Sequence, residues 1–236
     1  MTRKYRRILR RLAAVAILAA LSLAGPLPEA NLRAQPAQSA NQEPPMPDIS
    51  KLHGKELVEN ACGDCHGVDG NSEEPETPKL AGQKASYLRM EMLAFKSGAR
   101  HGQGMDDPRF IAITDAQVDE LAEYYSRLPV IPDKVKDLEA AKLGAFIFAN
   151  GRPGVPPCAV CHGPHTQGGM MGGGMMMMRV NPADVPNLNG QHAAYTLAQM
   201  NAFASGGRPS QAMGRFAADL SERDRQAVAD YLAGLR

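Results

Sequence analysis

Two five-residue sets carry most of the chemistry this chain can do: Cys62-Gly63-Asp64-Cys65-His66 and Cys158-Ala159-Val160-Cys161-His162. Each reads Cys-x-x-Cys-His, the pattern for covalent attachment of a c-type haem. The spacing has a physical reason. Thiols at i and i+3 of a helix share a face, so each can form a thioether with one of the two vinyl groups on a haem edge. The adjacent His then lies beneath the iron as its proximal ligand. A four-Cys zinc site also uses Cys-x-x-Cys pairs, but these stand 96 residues apart, and zinc gives no reason for a His after both. A thioredoxin-like redox pair belongs in a βαβ context, and neither motif is flanked by strand-like alternation. The sequence therefore predicts two covalently bound haem c groups. Cys62 and Cys65 hold one, Cys158 and Cys161 the other, with His66 and His162 on the irons.

The elements that must position these residues are written twice. Pro78-Lys79-Leu80-Ala81-Gly82-Gln83 returns 108 residues later as Pro186-Asn187-Leu188-Asn189-Gly190-Gln191. At the same offset Tyr87 meets Tyr195, Met92 meets Met200, Phe95 meets Phe203, Arg100 meets Arg208 and Met105 meets Met213. Apolar residues recur at three- and four-residue steps over 83–97 and 191–205, which predicts a helix in each repeat. Thr114 and Ser221 have the character of N-caps for closing helices, and shorter helices are expected over about 54–60 and 137–150. No segment alternates as a strand would. The expected fold is all-α, two tandem domains over 51–129 and 130–236. Pro129-Val130-Ile131-Pro132 between them makes a stiff, short linker that keeps the domains packed together.

A sixth iron ligand should recur in both repeats and come from a loop free to reach across the haem. Met105 and Met213 satisfy both conditions, in Gly- or Pro-containing segments between helices. Met92 and Met200 also repeat, but at mid-helix apolar positions, which reads as core filling. His53, His101, His165 and His192 each lack a His at the matching place, which disfavours two-His ligation. A thioether in the sixth position raises the reduction potential relative to a second His. With both axial positions filled by protein there is no open iron for oxygen or peroxide, so electron transfer is expected, with no catalytic residue. The carbonyls near Pro78 and Pro186 are the candidates to accept the other ring N–H of each proximal His.

Composition fits a large apolar cofactor. Aromatics are 5% of the 236 residues and Trp is absent, so a small core must be filled some other way. Residues 1–34 combine a basic start with an apolar run from Leu12 to Ala24, the pattern of a signal peptide, or of an uncleaved anchor that would leave the protein membrane-associated. Either reading places the remainder in the periplasm. Residues 35–50 are polar and Pro-rich, a disordered tether. Without 1–34 the chain holds 19 Lys/Arg against 24 Asp/Glu, and no basic cluster supports nucleic-acid binding. Residues 35–129 sum to about −7 and 133–236 to about +2, which reads either as a dipole that orients the molecule between two partners or as an acidic surface that keeps it soluble.

Together these motifs resemble the dihaem cytochrome c4 family. The likeness rests on Cys-x-x-Cys-His, Pro-x-Leu-x-Gly-Gln, a Tyr-containing helix ending in Phe-x-x-Gly-x-Arg, a loop Met and a closing Ala-Asp-Tyr-Leu-Ala-Gly-Leu. The segment 154–163 (Gly-Val-Pro-Pro-Cys-Ala-Val-Cys-His-Gly) is especially close. The resemblance covers about residues 50–236. It implies two class I cytochrome c domains packed with pseudo-twofold symmetry, His66 with Met105 and His162 with Met213 in the axial roles. It also implies a periplasmic carrier delivering electrons to a terminal oxidase. A quinol-oxidising complex is the expected donor; the alternative is the cytochrome subunit of a periplasmic dehydrogenase. One stretch departs from the pattern. Residues 168–178 (Gly-Gly-Met-Met-Gly-Gly-Gly-Met-Met-Met-Met) lie in a span from His162 to Pro186 of 24 residues, against 12 from His66 to Pro78. This Met-rich insertion reads as a low-complexity loop, with an adaptable docking surface or a soft Cu(I) site as alternatives.

Overall fold

Among the described residues, side-chain caps set where five of the α-helices begin. The computed structural model describes residues 47–163, 181, 183 and 185–236. Its first half holds α1 (Gly54–Ala61), α2 (Gly63–His66), α3 (Ala85–Lys96), α4 (Pro108–Ala112) and α5 (Asp115–Ser126). The second holds α6 (Leu138–Asn150), α7 (Ala159–His162), α8 (Ala193–Ser205), α9 (Gln211–Asp219) and α10 (Glu222–Ala233). Among the described residues there is no strand, only an isolated bridge between Arg152 and Val155. Thr114 heads α5 with a full capping box: its hydroxyl accepts from Gln117 N at 3.2 Å, and Gln117 Oε1 accepts from Thr114 N at 2.8 Å. Ser221 caps α10 by accepting from Asp224 N at 3.1 Å.

The last residues of the expected tether over 35–50 are structured. Asp48 caps a 3-10 turn, Ile49–Lys51, and Ile49 is buried in the first core. Gln117 Nε2 donates to the carbonyls of Ile49 and Leu52 at 2.8 and 2.9 Å, so the cap of α5 also ties down the entry segment. A polar run concealed one apolar anchor. The signal segment, most of the tether and the Met-rich insertion lie outside the described residues.

Each half has its own core. Leu57, Val58, Leu88, Ile113, Val118, Leu121 and Tyr125 build the first; Ile147, Phe148, Met200, Leu220, Val228 and Leu232 build the second. Full burial of each large apolar side chain contributes roughly 1.5–3 kcal/mol. In the second half α6 lies directly on α10: a Cβ on Gly144 would stand 1.9 Å from the Ala227 carbonyl oxygen. Gly there forgoes about 1 kcal/mol of helix propensity and gains close backbone contact.

The halves meet through reciprocal contacts, as a pseudo-twofold requires. Gln83 Oε1 accepts from Asn187 N at 2.8 Å while its Nε2 donates to Asn187 O at 2.8 Å. Gln191 treats Lys79 identically, at 2.9 Å on both arms. Arg100 reaches across to Tyr195 and Gln199, and Arg208 reaches back to Tyr87 and Glu91. Each guanidinium also stacks on a Phe of its own half, Phe95 or Phe203, at 4.5 and 4.6 Å.

A buried charge cluster closes one edge of this contact. Lys79, 4% exposed at its side chain, donates through Nζ to Asp133 Oδ1 at 2.5 Å and to the Ile131 and Gly190 carbonyls. His192 joins Asp133 Oδ2 at 2.7 Å and Ser72 on its other nitrogen. Burial alone would raise the Asp133 carboxyl, but Lys79 and His192 more than offset it and hold it below its ordinary value of 3.8. A carboxyl depressed in the folded state stabilises above its unfolded pKa, and that contribution is lost as pH falls through the folded one. Stability to denaturant is therefore expected to drop below about pH 4, and Asp133→Asn should flatten that acid limb. Guanidinium unfolding curves at pH 6 and pH 3 for both proteins check this; equal acid slopes would exclude Asp133 as the source.

Candidate haem-iron sites

Both Cys-x-x-Cys-His motifs lie on single helical turns. His66 N donates to Cys62 O at 2.9 Å and His162 N to Cys158 O at 2.8 Å, placing two thiols and an imidazole on one face each time. The approaches differ. Cys62 follows α1 directly, whereas Gly151 to Pro157 intervenes between α6 and Cys158. Gly151 has φ +73° and a Cβ there would lie 2.2 Å from Val155 O, so this turn demands glycine.

Each imidazole is oriented by a proline carbonyl. His66 Nδ1 lies 2.8 Å from Pro78 O and His162 Nδ1 lies 3.2 Å from Pro186 O, the acceptors expected from the repeat. Donation at Nδ1 leaves Nε2 as the ring's lone-pair nitrogen. Burial pushes the pKa of both rings below the ordinary imidazole value, against the opposing pull of the carbonyl bonds, and so favours the neutral ring. In the first half the carbonyl-bearing loop is itself pinned. Gly70 O accepts from Leu80 N and Ala81 N at 2.8 and 3.0 Å. Tyr124 and Tyr125 of α5 donate to Val68 O and Gly67 O.

The leading thiol of each motif is shielded from water. Burial pushes Cys62 up to about 12 and Cys158 up to about 11, so before attachment they are neutral thiols. A redox Cys-x-x-Cys pair shows the opposite, a depressed thiol. One continuous cavity of about 2210 Å³ is lined by both motifs, His66 and His162 included, and by Met92, Met105, Met200 and Met213. A single drug-sized ligand fills roughly 300–1,000 Å³, so this space suits two large groups. Its wall combines soft thioether and imidazole donors with apolar side chains, a donor set that fits haem.

The two candidate distal Met are not placed alike. Met105 is half-buried in the turn between α3 and α4, as expected of a loop ligand. Met213 is not in a loop: it is the third residue of α9. The reason is Ser210, whose hydroxyl accepts from Met213 N at 3.2 Å and starts the helix early. In the first half, Asp107 with Pro108 at N1 delays the corresponding start until after the Met. Met92 and Met200 do pack into the cores. Of the histidines set aside, His53 pairs with Glu120 and His192 lies in the charge cluster. His101 is exposed at the cavity and His165 is outside the described residues. What the motifs did not disclose is that Tyr87, Glu91, Arg100, Tyr195, Gln199 and Arg208 line the same cavity between the two sites. The repeat had flagged the Tyr and Arg pairs without giving them a task.

Known proteins resemble this chain in sequence and fold. The family model for cytochrome c matches residues 52–129, and that for cytochrome c oxidase, cbb3-type, subunit III matches 139–232. Cytochrome c4 of Stutzerimonas stutzeri is 35% identical over 206 residues, covering 80% of this chain and 89% of that protein. The chain belongs to the cytochrome c4 family. The crystal structure of reduced recombinant cytochrome c4 from Pseudomonas stutzeri superposes with a TM-score of 0.62 at 34% identity, covering 77% of this chain and 96% of that one. A relative described as thiosulfate dehydrogenase electron acceptor, also from Stutzerimonas stutzeri, is 36% identical over 184 residues, 74% of this chain and 79% of its own length. As a cytochrome c4 the protein is dihaem: it carries two covalently bound haem c groups and transfers electrons to and from redox partner proteins. Among the described residues no helix is long and apolar enough to cross a membrane.

Proposed function

We propose that Cys62 with Cys65 and Cys158 with Cys161 hold the two haems. In this reading His66 and Met105 ligate the first iron, and His162 and Met213 the second. The protein then works in the periplasm, passing single electrons towards a terminal oxidase. The observation that supports this reading best is the shared cavity, lined by two carbonyl-oriented imidazoles and two repeated pairs of Met, of which Met105 and Met213 lie outside the mid-helix core positions. When bound, haem iron supplies reversible one-electron redox chemistry. The chain's own residues hold the imidazoles in one orientation, would supply two ligands to each iron, and surround the groups with the apolar side chains of Leu88, Phe95, Phe110, Leu188 and Phe203. Filled axial positions favour transfer over substrate chemistry.

A second reading concerns the donor. Relatives described as thiosulfate dehydrogenase electron acceptors, 36% and 32% identical, support a periplasmic dehydrogenase in that place rather than a quinol-oxidising complex. Stopped-flow absorbance separates the steps. Reduced protein mixed with oxidase-containing membranes should be reoxidised at a rate proportional to membrane concentration. Oxidised protein should be reduced when thiosulfate and a thiosulfate dehydrogenase are added. No oxidation by membranes would overturn the terminal-oxidase reading; no reduction by the dehydrogenase would return the donor role to a quinol-oxidising complex.

A further inference from the structure

Each proximal histidine is connected through one peptide group to a glutamine of the opposite half. The carbonyl that accepts from His66 Nδ1 belongs to Pro78, and the N–H of that same peptide unit is Lys79 N, which donates to Gln191 Oε1 at 2.9 Å. The mirror chain runs from His162 Nδ1 to Pro186 O, and from Asn187 N to Gln83 Oε1 at 2.8 Å. We propose that Gln191 and Gln83 are positioning residues that set the donor strength of the other half's proximal histidine, so that each haem's reduction potential is tuned from across the domain interface. This rests on the reading that His66 and His162 ligate the irons.

The orientation of both amides follows from their partners. Gln191 Oε1 accepts from Lys79 N and from His192 N, while its Nε2 donates to Lys79 O at 2.9 Å. Gln83 Oε1 accepts from Asn187 N and Lys84 N, while its Nε2 donates to Asn187 O. An oxygen at each Oε1 position is thus the assignment that satisfies three bonds at once. Hydrogen bonds in series polarise one another. A peptide N–H engaged by an amide oxygen has a more negative carbonyl, which pulls harder on the imidazole proton. The ring becomes a stronger donor and favours oxidised iron. The two chains are also unequal, 2.8 Å at His66 against 3.2 Å at His162, so the first histidine feels its partner more strongly.

The test uses the full haem-loaded protein, 15N-labelled, with Gln191→Leu, Gln83→Leu and Gln191→Glu. Leucine at 191 should move the His66 Nδ1–H resonance upfield and lower the first haem's oxidised-to-reduced ratio at fixed poise by about threefold. The second haem should change by less than half of that. Leucine at 83 should do the same to His162. Glutamate at 191 keeps the acceptor on Lys79 N and strengthens it, so His66 should move the opposite way; this arm also decides the matter if leucine prevents folding. Larger shifts in the substituted half than in the opposite one would overturn the proposal, as would leucine and glutamate acting in the same direction. Failure of the ligand reading would be separate: the His66 or His162 ring protons would lack a hyperfine shift in the oxidised wild-type protein.

Discussion

Met213→His should lower the reduction potential of one haem by about a few tenths of a volt and leave the other nearly unchanged. Axial ligand identity sets haem potentials over roughly 0.8 V, and a thioether in place of a second imidazole raises the potential. The substitution converts the second site to two-His ligation, so an equilibrium titration should split into two well-separated waves. Half of the weak near-infrared Met–iron absorption should vanish with it. Met105→His should give the complementary result. The two sites do not have equal latitude, because Met213 sits in the capped first turn of α9 and Met105 in a turn between helices. If Met92→Leu and Met200→Leu remove the band instead, the axial assignment belongs to that pair.

Glu91→Leu should destabilise the contact between the halves by about 3–5 kcal/mol, the range for a buried charge stripped of its partner. Glu91 is 14% exposed at its side chain and bonds Arg100 of its own half as well as Arg208 of the other, which are 11% and 12% exposed. With leucine there, two guanidinium groups from opposite halves face one another with only Gln199 and two tyrosine hydroxyls to accept from them. Denaturant unfolding should then begin earlier and lose its single sharp transition. The repair is built into the pseudo-twofold. Gln199 occupies the position equivalent to Glu91 and already accepts from both arginines at 2.9 Å. Glu91→Gln with Gln199→Glu moves the carboxylate across the axis and should recover most of the loss. If the swap is no better than Glu91→Leu, the arginines are not the source of the effect.

The parts of this molecule that were legible in the sequence are those fixed by short covalent patterns or by repetition. Cys-x-x-Cys-His states its own geometry, and the proline carbonyls follow because Pro78 and Pro186 hold equivalent places after each motif. Helix starts were readable at Thr114 and Ser221, where the cap is local. Other features were hidden because the deciding partner is remote or the local signals compete. Ser210 overrides a Gly- and Pro-containing surrounding to put Met213 in a helix. Lys79 is a residue type that normally stays in water, and only Asp133 with two carbonyls, all three partners lying outside its own half, makes its burial tolerable. Gln83 and Gln191 were visible as a repeated pair. Their use appears only when the two copies face each other.

The short connection between the copies has a consequence for how strong that facing contact has to be. Pro129 to Pro132 is held at both ends, by Asn71 on Pro129 O and Ile131 N and by Asp133 N on Ala233 O. A tether of this length keeps each half at an effective concentration on the order of millimolar relative to the other. Contacts too weak to join two free proteins then remain closed almost all the time. The interface can therefore afford polar, hydrogen-bonded and individually modest contacts where an obligate dimer would need a large apolar one. Cut in the linker, the halves should part on dilution while each keeps its own core.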